Sequence, residues 1–239
     1  MTVTSRLLDY TLDGKRFQGY LAMDDAVAGP RPALLIAPTW AGRSEFEESK
    51  ARSLAQAGYV ALALDMYGDG VRGSGPEENA ALMTPLLADR ADLQARINAG
   101  FAAAAALPEV DASRIAAIGY CFGGLCVLDL ARSGADVRGV VSLHGLFTPA
   151  DNLPAPSISS KVLCLHGYDD PMAPPDSVLA LASELTAAGA DWQIHAYGNT
   201  LHAFTNPAAD DPAGGTVYSP IADRRSWQAV ENFLDEVLA

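Results

Sequence analysis

Apolar residues along this chain gather into short runs at regular intervals. ALLIAP at 33–38, YVALALD at 59–65, RIAAIGY at 114–120, GVVSLHG at 139–145 and KVLCLHG at 161–167 are almost continuously apolar. Continuous rather than alternating apolarity marks strands covered on both faces, as in a parallel sheet packed by helices. Residues 4–11 and 16–23 flank Asp13-Gly14, a tight hairpin signal, and DWQIHAYG at 191–198 reads as a last strand. Helices fill the gaps. Ser44 is placed to cap a helix over 45–57 that Gly58 stops. Thr84-Pro85 reads as a cap and first helical residue, with Leu93, Ile97 and Phe101 following as one apolar stripe. Further helices fit 122–132, 175–188 and 221–238, the last with an apolar face of Trp227, Val230, Phe233 and Val237. AVAGPRP at 26–32, VRGSGPEEN at 71–79 and NLPAPSISS at 152–160 read as loops. The order predicts an α/β protein with a mostly parallel central sheet, helices on both faces and an N-terminal antiparallel hairpin.

No repeat or low-complexity linker divides the chain, so one domain over residues 1–239 is expected. Net charge is −13, and such a surface repels phosphate backbones and gives no long-range help to anionic substrates. No nucleic-acid partner is expected. The longest apolar run, FAAAAAL at 101–107, is far short of a membrane span, and MTVTSRLLDYTLDGK lacks the apolar core of a signal peptide. Cys121, Cys126 and Cys164 are odd in number and irregular in spacing, which fits neither a disulfide framework nor a zinc site. The expectation is a cytoplasmic protein, monomeric or a small homo-oligomer, without membrane, metal or cofactor. There is no phosphate loop of the G-x-x-x-x-G-K type and no HExxH.

Sites in such sheets lie at the carboxyl ends of the strands. Asp65, Cys121, His144, His166, Asp169, Asp170 and His202 all end or follow a predicted strand. The stretch AAIGYCFGG at 116–124 is the most specific. A nucleophile at a strand-to-helix corner needs small residues two positions before and after it, because those positions crowd against neighbouring backbone. Gly119 and Gly123 flank Cys121 in that way. A helix starting at Phe122 aims its N-terminus at the thiol, an arrangement that favours thiolates, and offers the Phe122 N–H to an oxyanion. The competing reading is a buried, inert cysteine whose glycines only let strand and helix pack closely.

An activated thiol needs a base, and the base an orienting acid, in the chain order nucleophile, acid, histidine. Cys121, then Asp169 or Asp170, then His202 meets that order. His195 and His166 lie within strands and His144 precedes the acid, so these three read as core or supporting histidines. Met66, Tyr67, Trp40 and Phe122 are candidates for pocket wall. Cys126 and Cys164 read as small buried residues.

GYCFGG, HGYDDP and the LHAF around His202 resemble the dienelactone hydrolase family, α/β-hydrolases with a cysteine nucleophile, and GYVALALDMYG is similar to its fourth-strand region. The resemblance runs from about residue 15 to the end. It implies Cys121 as nucleophile, Asp170 as acid, His202 as base, and an oxyanion hole of the Phe122 and Trp40 N–H groups. It also exposes two departures. The family's activating glutamate falls on Thr39, which carries no charge and accepts no proton at neutral pH. An arginine that grips substrate carboxylate falls on Asn206, and neither Arg72 nor Arg90 aligns as the second. Thr39 and Tyr67 are the substrate-pocket candidates. Glu45, Glu47 and Glu48 read as solvating the next helix. The function implied is hydrolysis of a small ester, lactone or thioester, though not dienelactone itself. The alternatives are a non-catalytic ligand-binding module on the same fold and a redox-sensing Cys121–Cys126 thiol pair.

Overall fold

A computed structural model describes residues 2–150 and 157–239. Most of the predicted loop at 152–160 therefore lies outside the described residues. The chain opens with strands β1 (Val3–Leu12) and β2 (Lys15–Asp24), paired antiparallel around Asp13-Gly14. β3 (Arg31–Ala37), α1 (Glu45–Gln56) and β4 (Val60–Ala63) follow, then α2 (Pro76–Ala88), α3 (Arg90–Ala105) and β5 (Val110–Tyr120). After α4 (Phe122–Arg132) come β6 (Gly139–Leu143), β7 (Lys161–Gly167), α5 (Pro175–Ala187) and β8 (Trp192–Tyr197). A small hairpin, β9 (Asp210–Asp211) with β10 (Thr216–Val217), precedes α6 (Pro220–Val237).

The main sheet has eight strands in the order β1-β2-β4-β3-β5-β6-β7-β8. From β4 to β8 all neighbours are parallel, and β2 joins β4 antiparallel. Alternate residues of a strand feed opposite faces. In β3, Ala33, Leu35 and Ala37 enter the core beneath α3, α4 and α5, while Leu34 and Ile36 enter the core beneath α1 and α6. Burial on both faces explains why the sequence runs are continuously apolar. Leu93 and Ile97 of α3, and Val230 and Phe233 of α6, are buried as their spacing predicts.

One helix start differs from expectation. Thr84 and Pro85 do not open a helix; they are exposed in α2, which begins at Pro76 inside the stretch read as a loop. Pro76 follows Gly75 at the first helical turn, a favourable place for proline. Pro85 sits in the last turn, where its carbonyl accepts the Asp89 N–H at 2.9 Å. Asp89 then caps α3 by accepting the Asp92 N–H at 3.1 Å. Among the described residues no helix is long and apolar enough to cross a membrane.

The topology sets the site. After β3 the chain steps outward to β4, then returns to the other side of β3 for β5. The loops that leave β3 and β5 therefore diverge from adjacent strands, the crevice where open α/β sheets bind ligands. At this corner β5 ends at Tyr120, just after Gly119, and α4 begins at Phe122. A Cβ on Gly119 would lie 1.9 Å from the Gly123 carbonyl oxygen, and one on Gly123 would lie 2.1 Å from that of Ala37. Both obstacles are backbone, so no side chain can swing aside. Gly119→Ala should destabilise the fold by about 3 kcal/mol, the upper end of ordinary overpacking, measured by urea denaturation. An unchanged midpoint would contradict this account of the corner.

Candidate active site

Cys121 lies between the end of β5 and the first turn of α4, with φ 55° and ψ −117°. For a residue with a Cβ this is strained backbone, and such strain is held only where neighbours over-determine it. Here the Cys121 N–H donates to the Leu143 carbonyl at 3.1 Å and its carbonyl accepts the Gly124 N–H at 2.9 Å. The strand next door and the helix behind thus fix both sides of the residue. Cys121 is half-buried, whereas Cys126 and Cys164 are completely buried. Burial pushes the Cys126 thiol far above its ordinary range and that of Cys164 up to about 12. Both are core residues without thiolate character.

His202 follows β8 in a segment that β10 pins in place. Its N–H donates to the Gly215 carbonyl at 3.0 Å, and its carbonyl accepts the Val217 N–H at 3.1 Å. Its Nδ1 meets Asp170 Oδ2 at 2.7 Å, and both side chains are almost wholly buried. The other oxygen of Asp170 accepts the Met172 N–H at 2.8 Å, which sets the carboxylate's rotation. Asp169 is exposed, and only its backbone is engaged, donating to the Thr200 carbonyl at 3.0 Å. Of the two adjacent aspartates, the structure pairs Asp170 with the histidine. The His202 Nε2 is buried without a hydrogen bond, and the Cys121 sulfur is near enough to act on the ring without completing one. Long contacts of this kind are usual before substrate arrives. Burial by itself would lower the pKa of His202. The hydrogen bond with Asp170 and the neighbouring thiol outweigh it and lift the value to about 10. The arrangement favours the imidazolium form of His202 at neutral pH.

The other histidines are placed differently. His144 packs edge-on to His202 with ring centres 5.1 Å apart, and its Nε2 meets Thr205 Oγ1 at 2.8 Å. Burial, then the adjacent His202, hold it well below the ordinary histidine range, so it stays neutral. His166 is buried against Phe147, and burial lowers it also. His195 lies within β8. Asp65 accepts the N–H groups of Gln18, Tyr67, Gly68 and Gly70, and so ties the turn after β4 to β2 rather than facing the cavity.

A cavity of about 440 Å³ opens over Cys121 and His202. Thr39, Trp40, Phe46, Met83, Leu146 and Met172 form much of its wall, and Asn206 lies at its side. Among the described residues no arginine, lysine, aspartate or glutamate lines it. Arg90 is buried elsewhere, its guanidinium gripping Asp129 with Nε to Oδ2 at 2.6 Å, and Arg72 is exposed. Tyr67, expected in the wall, is instead behind it. Its ring stacks on Phe122 at 6.1 Å and its hydroxyl donates to the Trp40 carbonyl at 2.7 Å. Phe122 is completely buried, so only its backbone N–H can serve the cavity. Met83 and Leu146 went unnoticed in the sequence, because their loops and helices meet the site only in the folded chain. Glu47 also differs from expectation. It does not solvate its helix but is wholly buried beneath the loop after β3, accepting the Thr39 N–H at 3.1 Å. Among the described residues, no group of three or more histidine, cysteine or acidic side chains is placed to hold a metal ion.

A family model described as the dienelactone hydrolase family matches residues 17–238. The solved structure named m3DLH is 38% identical, with a TM-score of 0.93 and 99% of each chain covered. A dienelactone hydrolase-like promiscuous phosphotriesterase, P91, from metagenomic libraries is 36% identical, with a TM-score of 0.92 and 99% of each chain covered. A Yersinia pestis protein provisionally named carboxymethylenebutenolidase is 27% identical over 203 residues, covering 80% of this chain and 75% of that protein.

The pairing of His202 with its neighbours has a spectroscopic consequence. By NMR titration the His202 ring should keep its proton until about pH 10. Asp170→Asn and Cys121→Ser each remove a group that stabilises the charged ring, so each should lower that pKa, by on the order of a unit or more. A ring titrating near its ordinary value in the wild type would contradict the geometry described.

Proposed function

The chain belongs to the dienelactone hydrolase family, and we propose that it cleaves small, uncharged esters or lactones through Cys121, with His202 and Asp170 completing a triad. Membership makes it a hydrolase of carboxylic esters with an α/β-hydrolase fold. The observation that carries the finer reading is the placement of a strained, half-buried thiol beside a histidine whose far nitrogen is held by a buried carboxylate.

In this reading the Cys121 thiolate adds to the substrate carbonyl carbon. The oxyanion is received by the N–H groups of Phe122 and Trp40, each such donor typically worth about 3 kcal/mol in the transition state. Protonated His202 gives its Nε2 proton to the leaving alkoxide, leaving a thioester on Cys121. Neutral His202 then takes a proton from water, whose oxygen attacks the thioester and releases the acid and the thiol. Asp170 holds the tautomer and stabilises the imidazolium. All three cysteines are free, and the reading places the enzyme, acting as one domain, in a reducing cytoplasmic compartment.

The cavity argues for the substrate class. With Asn206 in place of an arginine, and no arginine or lysine among the described residues of the wall, a substrate carboxylate finds no bidentate partner. Burying an unpaired carboxylate there is unfavourable, so uncharged acyl and alcohol groups are preferred. The same wall suits an uncharged phosphotriester. That is the second reading, favoured by the likeness to P91, with attack of the thiolate on phosphorus and loss of the aryloxide.

The test is a stopped-flow record of p-nitrophenol release from p-nitrophenyl acetate, with a dialkyl p-nitrophenyl phosphate alongside. Wild type should show a burst followed by turnover, and Cys121→Ala should lose about 10⁴-fold or more in kcat. Retained activity in Cys121→Ala would remove the nucleophile assignment. A wild type that binds ester but never releases nitrophenol would point to the non-catalytic module. Adding a carboxylate to the acyl group should weaken kcat/KM, and an improvement would count against the uncharged substrate class.

A further inference from the structure

β3 ends at Ala37, so the sheet does not fix the conformation of the residues that follow. Three consecutive peptide groups there are each held by one hydrogen bond. The Thr39 N–H donates to Glu47 Oε1 at 3.1 Å. The Thr39 carbonyl accepts the Gly42 N–H at 3.0 Å. The Trp40 carbonyl accepts the Tyr67 hydroxyl at 2.7 Å. In a trans peptide the C=O and N–H point in opposite directions. Engaging the Thr39 carbonyl therefore turns the Trp40 N–H away from the Gly42 turn, and that N–H has no partner among the described residues.

Glu47 is the unusual anchor of the three. It is completely buried in the first turn of α1. Its second oxygen, Oε2, accepts the Ser44 N–H at 2.8 Å and the Ser44 hydroxyl at 2.7 Å. Capping by itself does not require this burial, since the Ser44 hydroxyl already accepts the Phe46 N–H at 3.3 Å. An exposed glutamate can close the same box from the surface. A buried carboxylate persists only with its oxygens satisfied, and the partner that capping does not explain is Thr39. The groups that raise the charge of His202 are Asp170 and Cys121, not Glu47. Glu47 thus touches the chemistry through the loop rather than through the thiol.

We propose that Glu47 is a positioning residue for the hydrolysis. With Tyr67 as its counter-anchor, it fixes the Thr39–Trp40 backbone so that the Trp40 N–H meets the developing oxyanion. This rests on the reading that Cys121 attacks and Trp40 donates. The chain thereby keeps a glutamate at the loop where the family's activating glutamate is replaced by Thr39, but uses it to orient a donor.

The experiment compares the acylation rate and KM for p-nitrophenyl acetate in Glu47→Met, Glu47→Gln, Tyr67→Phe and Leu54→Ala, each checked for folding by circular dichroism. Methionine fills the volume but accepts nothing. Glu47→Met should lose on the order of 10- to 100-fold in acylation rate, the scale of a misplaced or missing oxyanion donor, with KM within about threefold. Glu47→Gln keeps an oxygen for the Thr39 N–H and should recover most of the rate. Leu54, buried on the same helix, does not line the cavity; Leu54→Ala should lower the unfolding midpoint and leave the acylation rate of the folded protein unchanged. A folded Glu47→Met with the wild-type rate would overturn the proposal. So would a loss in Leu54→Ala matching that in Glu47→Met, because stability would then explain both. If Glu47→Met does not fold, Tyr67→Phe decides: a several-fold loss in rate at constant KM supports the pinned loop, and a wild-type rate overturns it. Cys121→Ala separates the two levels. If it stays active, the triad reading falls. If it is inactive while Glu47→Met is unimpaired, only the role of Glu47 falls.

Discussion

The closest backbone approach at the site lies where β5 turns into α4, and the remainder of the site is arranged around it. Gly119 and Gly123 let the first turn of α4 sit against the end of β5 and against Ala37 of β3 with no room for a Cβ. That proximity forces Cys121 into positive φ, so that its side chain leaves the sheet at the crevice between β3 and β5. It also brings the loop after β3 beside the Phe122 end of α4. The proposed oxyanion hole, with one backbone donor from each of these elements, depends on no side chain separating them. A looser corner would relax the cysteine and part the donors in the same movement.

Electrostatics follows from burial. Asp170 and His202 are both almost completely buried, and a lone charge there would be strongly disfavoured. Their bond at 2.7 Å, with Met172 satisfying the second carboxylate oxygen, makes the pair tolerable and decides where the proton sits. His144, packed on the same ring, has only a threonine hydroxyl as partner and stays neutral. Two histidines 5.1 Å apart thus hold different protonation states, one beside Asp170 and Cys121 and the other beside neither.

Much of this was readable from residue order. Continuous apolar runs announced the buried strands, and the spacing of Gly119 and Gly123 announced the corner. The order Cys121, then Asp169 or Asp170, then His202 pointed to residues that the structure gathers in or directly behind one cavity, and the family resemblance named Asp170. What could not be read from order and spacing depends on contacts between distant segments. Asp169 and Asp170 differ by one position in sequence, and the turn after β7 sends one to solvent and the other to His202, as the resemblance implied. Thr84-Pro85 carries a helix-start signal, but Pro76 opens a helix earlier and Asp89 caps the next one, and local propensity yields to that packing. Tyr67 has the composition of a pocket residue, yet its hydroxyl is taken by the Trp40 carbonyl. Glu47 looks like any first-turn glutamate until the loop after β3 closes over it.

The two departures from the family pattern, Thr39 and Asn206, have one physical origin in this reading. A substrate carboxylate needs cations in the wall, and a carboxylate near the thiol is useful where an anionic substrate rearranges charge on arrival. A chain that handles uncharged esters needs neither. The surface agrees with the cavity: a net charge of −13 disfavours anions at long range, and among the described residues the wall offers no arginine or lysine at contact. The raised proton affinity of His202 comes from Asp170 and Cys121, so in the proposed mechanism the ring holds its proton before substrate binds. Activation then does not wait on a substrate charge, and selectivity passes to the shape of a wall in which the flexible Met83 and Met172 stand beside the rings of Trp40 and Phe46. Flexible thioether walls accommodate varied ligands. A tolerant wall above a thiol whose partner histidine is already protonated is the combination from which activity on more than one kind of uncharged ester would be expected.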